Sequence, residues 1–234
     1  MLDSPSTAQN EAYRYLRDRI LNAELVAEAP INPAEIAELL GISRMPVREA
    51  LRQLDAEGLV SLRPNRRAVV ARLSVAEVED LFEMRAELEA LAVRSAVHHL
   101  TDDSRAELRM LMHRMDRVRA DRREWVGRHD EFHQYMCQLS GRKHLSQGIW
   151  RIRYAVRPYL LTFVIEFDAC EMQGFEHTSL LEAVLSGDPD LAAETMRRHV
   201  REPINRLRSF LLEREAASVQ GRGNPGPQKK LRPA

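Results

Sequence analysis

The chain has 234 residues, of which 44% are hydrophobic and 30% are charged, a composition typical of folded domains that bury a core. Its 35 basic and 35 acidic residues give a formal net charge of +0, so total charge alone gives no reason to expect a nucleic acid or an anionic membrane as partner. No apolar run approaches the roughly 20 residues that cross a bilayer, and the polar, acidic start lacks the basic and apolar regions of a secretory signal. The sequence therefore predicts a cytoplasmic protein that does not bind membranes.

The first third of the chain predicts three helices followed by a β-hairpin. Apolar residues recur at helical spacing in residues 13–20 and 36–40. Ser43 is expected to cap a third helix that ends near Gly58. A turn at residues 64–67, between two short apolar segments, predicts the hairpin.

The third helix begins with an unusual concentration of hydrogen-bond donors. Between Ser43 and Arg72 there are seven arginines and three acidic residues. A helix that follows a tight turn and precedes a hairpin is typical of the winged helix-turn-helix, whose third helix enters the major groove. For any single arginine an ordinary solvated face is the simpler interpretation, but turn, caps and charge together favour DNA binding. The predicted DNA contacts are Ser43, Arg44, Arg48 and Arg52 on the helix and Asn65, Arg66 and Arg67 at the hairpin tip.

Residues 36–51, together with the segments 57–60 and 63–66, resemble the N-terminal domain of GntR-family bacterial transcription regulators. The resemblance implies that Arg44 and Arg48 of the segment SRMPVREA, and the wing residue Arg66, contact operator DNA. The chain departs from the family pattern in two places. Met45 stands where a threonine is usual, and Arg67 replaces the wing glycine.

From Ser74 onwards the pattern is helical throughout, beginning with a capping box formed by Ser74 and Glu77. Helix breaks predict about five or six helices and no strand. The predicted fold is mostly α, with an N-terminal winged helix-turn-helix (three helices plus a β-hairpin) and a C-terminal all-α helical bundle. The predicted boundaries are 1–72 for the DNA-binding domain, 73–213 for the effector-binding and dimerisation domain, and 214–234 for a disordered tail.

Four of the eight histidines lie on the inward stripes of predicted helices: His129, His133, His177 and His199. One buried histidine is usually a hydrogen-bonded core residue, but four that converge suggest a metal site. Neutral imidazole is a good ligand for zinc or nickel, which a four-imidazole site favours over magnesium. The sequence therefore predicts a divalent transition metal, zinc or nickel, as cofactor.

Residues 74–212 resemble the all-helical FCD ligand-binding domain found in the FadR-like subfamily of GntR regulators. The resemblance implies a metal site built from three histidines and one acidic residue. His129 occupies the position where an aspartate is usual, and the neighbouring Asp130 is a possible substitute ligand.

Arg85 interrupts the apolar stripe of the helix that follows Ser74, so its guanidinium should face the interior. A buried charge needs a partner. Glu89, four residues later, or a carboxylate from another helix could be that partner. A carboxylate-bearing metabolite could equally be held by Arg85, with Arg153 as a weaker candidate.

The predicted function is a DNA-binding transcriptional regulator and not an enzyme. It would act as a homodimer on a palindromic operator, as a repressor if it follows the usual pattern of the family, and its binding would respond to a small organic acid. A regulator that responds to the metal ion itself remains an alternative. A metal-dependent hydrolase is disfavoured, because Glu131 in the segment HDEFH lies about 200° around the helix from His129 and would point away from a metal.

Overall fold

The computed structural model describes residues 7–63, 67–166 and 177–221. The chain divides into two compact units, one made of Met1–Leu73 with Phe210–Ala234, the other of Ser74–Ser209. In the part of the chain that the structure describes, no helix combines the length and the apolarity of a membrane span.

The N-terminal unit contains the three helices that the sequence predicts, with a small sheet. The order of elements is α1 (Thr7–Leu21), β1 (Pro30–Ile31), α2 (Pro33–Leu40), α3 (Arg44–Ala56), β2 (Val60–Arg63) and β3 (Arg67–Val70). Helix α3 packs against α1, α2 and β2. Its residues Val47, Ala50, Leu51 and Leu54 are buried in the core of this unit.

The connection between α2 and α3 is set by local chemistry. The Asn32 side chain accepts a hydrogen bond from the backbone N–H of Ala34 at 2.9 Å, which caps α2, and Pro33 follows at a position where a missing N–H costs nothing. Gly41 ends the helix with φ 65, in the left-handed region that favours glycine. The chain therefore turns within three residues into α3.

The sheet has one strand more than the predicted hairpin. β3 is the central strand of the order β1-β3-β2, and both pairings are antiparallel. Strand β1 pairs Pro30 with Val69 and Ile31 with Ala68. Two residues are too few to show the alternation of apolar and polar residues that predicts a strand. Strand β1 is therefore identified only by its pairing with β3.

The second unit and the segment that follows it are helical, as predicted, but their described residues form seven helices where about five or six were expected. The helices are α4 (Val75–Val97), α5 (Asp102–Arg117), α6 (Arg122–Gln138), α7 (Lys143–Glu166), α8 (His177–Leu185), α9 (Pro189–Arg201) and α10 (Ile204–Gly221). The predicted capping box is present: Ser74 accepts from Glu77 N, and the Glu77 carboxylate accepts from Ser74 N. Helix α4 packs along α9 and also contacts α6 and α7.

The C-terminal segment differs in part from the predicted disordered tail. Helix α10 continues to Gly221, so residues 214–221 are helical, and residues 222–234 lie outside the described part. Arg72 Nη2 donates to Glu215 Oε1 at 3.0 Å within the N-terminal unit. Alanine and glutamate in this stretch are good helix formers. Because apolar residues are sparse there, the sequence shows no helical periodicity that would predict this part of α10.

Candidate functional site

The structure exposes the arginine-bearing face of α3. Its four core residues turn one side of the helix inwards, while Ser43, Arg44, Arg48 and Arg52 are all exposed. The four α3 residues predicted to contact DNA therefore share one open surface of the N-terminal unit.

The arginines on this face differ in their partners. Arg52 Nη1 donates to Glu49 Oε1 at 2.6 Å. Within the described residues, neither Arg44 nor Arg48 forms an ion pair. Their guanidinium charges are consequently available to phosphates and base edges, which supply the electrostatic attraction and the sequence readout of DNA-binding proteins.

Ser43 occupies the N-cap position of α3, with φ -75 and ψ 164, but its side chain makes no capping hydrogen bond. The expectation that this hydroxyl caps the helix is therefore wrong. Pro46 stands at the third helical position, where its missing N–H removes one of the two usual donors to an N-cap oxygen. The Ser43 hydroxyl is thus not committed to the helix that it precedes.

The predicted contacts at the hairpin tip cannot be placed in the same way. Asn65 and Arg66 lie outside the described residues. Arg67 begins β3 and pairs in register with Arg63 of β2. Their contacts with DNA stay a prediction.

The four predicted histidines meet inside the helical unit. Helix α6 contributes His129 and His133, α8 begins with His177, and α9 contributes His199 near its end. All four are buried, and each offers one nitrogen such that the four ligand atoms lie within 4.8 Å of one another. We call this set the histidine centre.

Aromatic contacts hold the rings of the histidine centre. The rings of His133 and His199 stack with centroids 5.1 Å apart, and Trp125 stacks on His129 at 5.1 Å. His177 meets Phe132 edge to face at 5.8 Å. Well-packed rings of this kind keep their orientation without a bound ligand.

Glu89 orients one of these imidazoles. Its Oε2 atom lies 3.1 Å from His133 Nδ1. Because a carboxylate can only accept, Nδ1 carries the proton and the lone pair of His133 is on Nε2. That Nε2 atom lies 3.3 Å from Nε2 of His199, so the lone pair faces the histidine centre. Metal-binding histidines are commonly oriented through their second nitrogen in this way.

Glu89 also joins the two arginines predicted to bind an effector. Arg85 Nε donates to Glu89 Oε1 at 2.8 Å, and Arg153 Nη1 donates to Oε1 at 3.0 Å. All three side chains are buried. Burial acts to raise the pKa of the Glu89 carboxyl, but Arg153 and Arg85 outweigh it and hold that pKa well below its usual value.

Asp130 pairs with arginines and does not act as the substitute ligand that the sequence left open. Its Oδ1 accepts from Arg153 Nη2 at 2.8 Å and its Oδ2 accepts from Arg157 Nη1. Arg153 Nη2 also lies 3.3 Å from His129 Nδ1. Asp130 thus belongs to a charged layer with Arg153 and Arg157, and it is not among the grouped ligand atoms of the histidine centre.

Burial keeps three members of the histidine centre uncharged. It lowers the pKa of His129 to about 4 and that of His199 to about 3, and it lowers the pKa of His133 well below its usual value. These three imidazoles are therefore neutral near pH 7, the form that binds metals.

The arrangement contradicts the hydrolase alternative. The Glu131 side chain is 48% exposed and its Oε2 atom accepts from Arg128 Nη1 at 3.0 Å. It therefore faces solvent, as its helical position predicts, and cannot serve as a general base for a water bound at the histidines.

Three residues of this region have contacts that the sequence does not predict. Glu89, expected only as a partner of Arg85, also contacts His133 and Arg153. Arg157, one turn beyond Arg153 on α7, and Trp125, whose ring stacks on His129, are not among the predicted site residues. The spacing of Arg153 and Arg157 was the available signal.

Comparison with known families matches both units. Residues 8–70 match the family described as bacterial regulatory proteins, gntR family, and residues 80–202 match the FCD domain.

Curated relatives span nearly the whole chain. An uncharacterised HTH-type transcriptional regulator of Streptomyces ambofaciens is 30% identical over 93% of this chain and 95% of its own length. The HTH-type transcriptional repressor GlaR of Escherichia coli is 28% identical over 83% of this chain and 93% of its own length. Among solved structures, Escherichia coli McbR/YncC has the same fold, with a TM-score of 0.78 at 22% identity over 87% of this chain and 98% of its own.

Proposed function

The chain belongs to the GntR family of bacterial regulatory proteins and carries an FCD domain, and from this premise we propose that it is a repressor whose operator binding responds to a small organic acid held beside a metal ion. It is a DNA-binding transcriptional regulator and not an enzyme. The observation that carries the rest of the proposal is the buried histidine centre, bordered by arginines.

Operator recognition is assigned to the exposed face of α3. Arg44 and Arg48 lie one turn apart and can each bond bidentately to guanine O6 and N7. Arg52 is assigned to phosphate, since it already shares its charge with Glu49. GlaR of Escherichia coli is named a repressor, which supports the same sign of regulation here. Such a regulator acts in the cytoplasm, where bacterial DNA lies.

The chemistry of the histidine centre fits a divalent transition metal. The proposed ligands are His129, His133, His177 and His199, whose nitrogens are already grouped. A set of four neutral imidazoles suits zinc or nickel and does not suit magnesium. When bound, the ion would supply a Lewis-acidic position for a carboxylate oxygen.

A buried hydrogen-bond donor beside the histidine centre supports an anionic effector. The guanidinium groups of Arg85, Arg153 and Arg157 pair with the carboxylates of Glu89 and Asp130 beside the histidine centre. Arg153 Nε is buried and has no hydrogen-bond partner among the described residues. A buried donor of this kind calls for an acceptor, and a carboxylate ligand would provide one. The alternative in which the metal ion alone is the signal is not favoured, because it leaves this donor without an acceptor.

Assembly as a homodimer is supported by the surface of α4. Met84 and Leu91 are two helical turns apart on one face and are 51% and 42% exposed. A two-fold arrangement would pair these faces and match a palindromic operator. Sedimentation of the wild type and of Leu91→Glu tests the assignment, with dimers expected for the wild type and monomers for the variant.

Elemental analysis of the purified protein tests the metal site. We expect about one zinc or nickel per chain in the wild type and loss of the metal in His133→Ala. His144 is exposed on α7 and provides the control, so His144→Ala should keep the metal. Equal metal content in both variants would reject the histidine centre as the site.

Effector binding is tested by a thermal-shift screen of small organic acids on the metal-loaded protein, followed by operator binding with each positive acid. A ligand of the native state raises the melting temperature. Arg153→Met should lose the shift while keeping its metal. An acid that raises the melting temperature equally in Arg153→Met would contradict the role assigned to Arg153.

A further inference from the structure

Met45 is an exposed apolar side chain in the first turn of α3. It is 61% exposed, and it lies in sequence directly after Arg44 and three residues before Arg48. A single exposed apolar residue is ordinary on a protein surface. What distinguishes Met45 is its place on the helix face assigned to DNA.

The geometry of α3 puts Met45 at the edge of that face that lies farthest from the core. The buried residues Val47, Ala50, Leu51 and Leu54 define the inner side of the helix. With 100° per residue, Met45 lies about 170° from the mean direction of these four residues. Arg44, Arg48 and Arg52 lie about 100°, about 60° and about 20° from Met45, all on the same side of it around the helix axis. Met45 is therefore the side chain of the first turn that points most directly away from the core.

The chemistry of methionine limits which groups of DNA this side chain can contact favourably. A thioether has no donor for phosphates and only a weak acceptor, so it adds little to the polar contacts of its neighbours. The major groove offers one apolar feature, the C5-methyl group of thymine. A flexible, polarisable methionine side chain can follow the surface of a methyl group.

We propose that Met45 determines operator specificity by packing against the C5-methyl group of a thymine, beside the bases read by Arg44 and Arg48. The neighbouring guanidinium groups bring the helix into the negatively charged groove, and Met45 adds an apolar contact beside them. The inference rests on the proposed role of α3 in operator recognition.

The test begins with operator selection from a random double-stranded DNA library by the full-length protein. Binding is then measured by fluorescence anisotropy at one salt concentration, with each half-site thymine replaced in turn by deoxyuridine, which lacks only the C5-methyl group. At one position we expect the wild type to bind about fourfold more weakly, the value for one buried methyl group. Cytosine at that position should also weaken binding, and 5-methylcytosine should recover part of the loss.

Two variants link the effect to Met45. In Met45→Ala the ratio of thymine to deoxyuridine affinity should fall to about one at that position. In the matched control Arg52→Ala the same ratio should persist while overall affinity falls. Both side chains are exposed, so neither substitution disturbs the core.

Different results would contradict the role of Met45 and the proposed operator recognition by α3. A thymine-to-deoxyuridine ratio that is the same in the wild type and in Met45→Ala at every position overturns the role of Met45, while loss of specific binding in Arg44→Ala still supports recognition by α3. Failure of the wild type to select any sequence overturns the proposed recognition itself, and the role of Met45 with it.

Discussion

In the N-terminal unit, Arg44 and Arg48 are exposed and form no ion pair with any described residue, whereas in the helical unit Arg85 and Arg153 are buried and both contact Glu89. The same side chain thus occurs in two electrostatic settings. On α3 its charge is hydrated and can be neutralised by a partner from outside. Inside the bundle its charge must be compensated within the fold, since an isolated buried charge is costly.

The two settings predict different effects when an exposed or a buried arginine is removed. The exposed arginines contribute little to folding, so their removal should change binding and leave stability almost unchanged. The buried arginines depend on Glu89, so the stability of the helical unit and the orientation of His133 are linked through one carboxylate.

The largest expected effect is that of Glu89→Gln. This change removes the charge that compensates Arg85 and Arg153 and leaves both guanidinium groups buried, so we expect a loss of about 3–5 kcal/mol in the free energy of unfolding. Urea unfolding of the metal-free protein measures it. Glu87 is 54% exposed and pairs with Arg197 and Arg201, so Glu87→Gln should cost under about 1 kcal/mol. Similar losses of stability in the two variants would show that removing a charge from the buried network costs no more than removing one from a surface ion pair.

Acidification should destabilise the metal-free helical unit. The folded-state pKa values of about 4 for His129 and about 3 for His199 lie below the unfolded value, so below pH 6.5 the unfolded chain binds more protons. Stability is thus fully present above pH 6.5 and falls as the pH falls towards the folded values. Between pH 7 and pH 5 we expect each of these two histidines to cost about 2 kcal/mol. Urea unfolding at half-unit pH intervals checks this slope, and equal stability at pH 7 and pH 5 would contradict it.

Specific DNA binding should depend on the exposed arginines. Arg44→Ala and Arg48→Ala should each weaken binding to the selected operator by about 10- to 100-fold, because each can remove a bidentate contact with guanine. Binding to a scrambled duplex should change much less, and the melting temperature should stay the same. Competition anisotropy with the two duplexes provides the measurement. Undiminished specificity in both variants would reject α3 as the element that reads the operator.

The smallest effect concerns two serines at N-cap positions. Ser74 accepts a hydrogen bond from Glu77 N, so Ser74→Ala should cost about 1 kcal/mol of stability. Ser43 makes no such bond, so Ser43→Ala should cost well under about 0.5 kcal/mol, the range of ordinary surface substitutions. Thermal unfolding of the two variants compares them. A loss for Ser43→Ala as large as that for Ser74→Ala would show that its hydroxyl does cap α3.

Local chemistry allowed much of this protein to be read from its sequence. Asn32, Gly41 and the pair Ser74 and Glu77 mark helix ends through contacts made within a few residues, so they could be recognised without the fold. The inward direction of His129 and His133 followed in the same way from the 3.6-residue helical period. The two-residue strand β1 could not be recognised, because it exists only by pairing with β3.

What tertiary structure decided is which side chains meet. The sequence left Arg85 with either Glu89 or a ligand as partner, and it left Asp130 as a possible substitute ligand. In the packed bundle Arg85 pairs with Glu89 of its own helix α4, and both Glu89 and Asp130 accept hydrogen bonds from Arg153 of α7. The contacts of Arg153 with Asp130 and Glu89 join residues 23 and 64 positions apart, and their geometry depends on how whole helices pack. Periodicity determined which residues face inwards, and only the packed bundle determined which charges compensate one another.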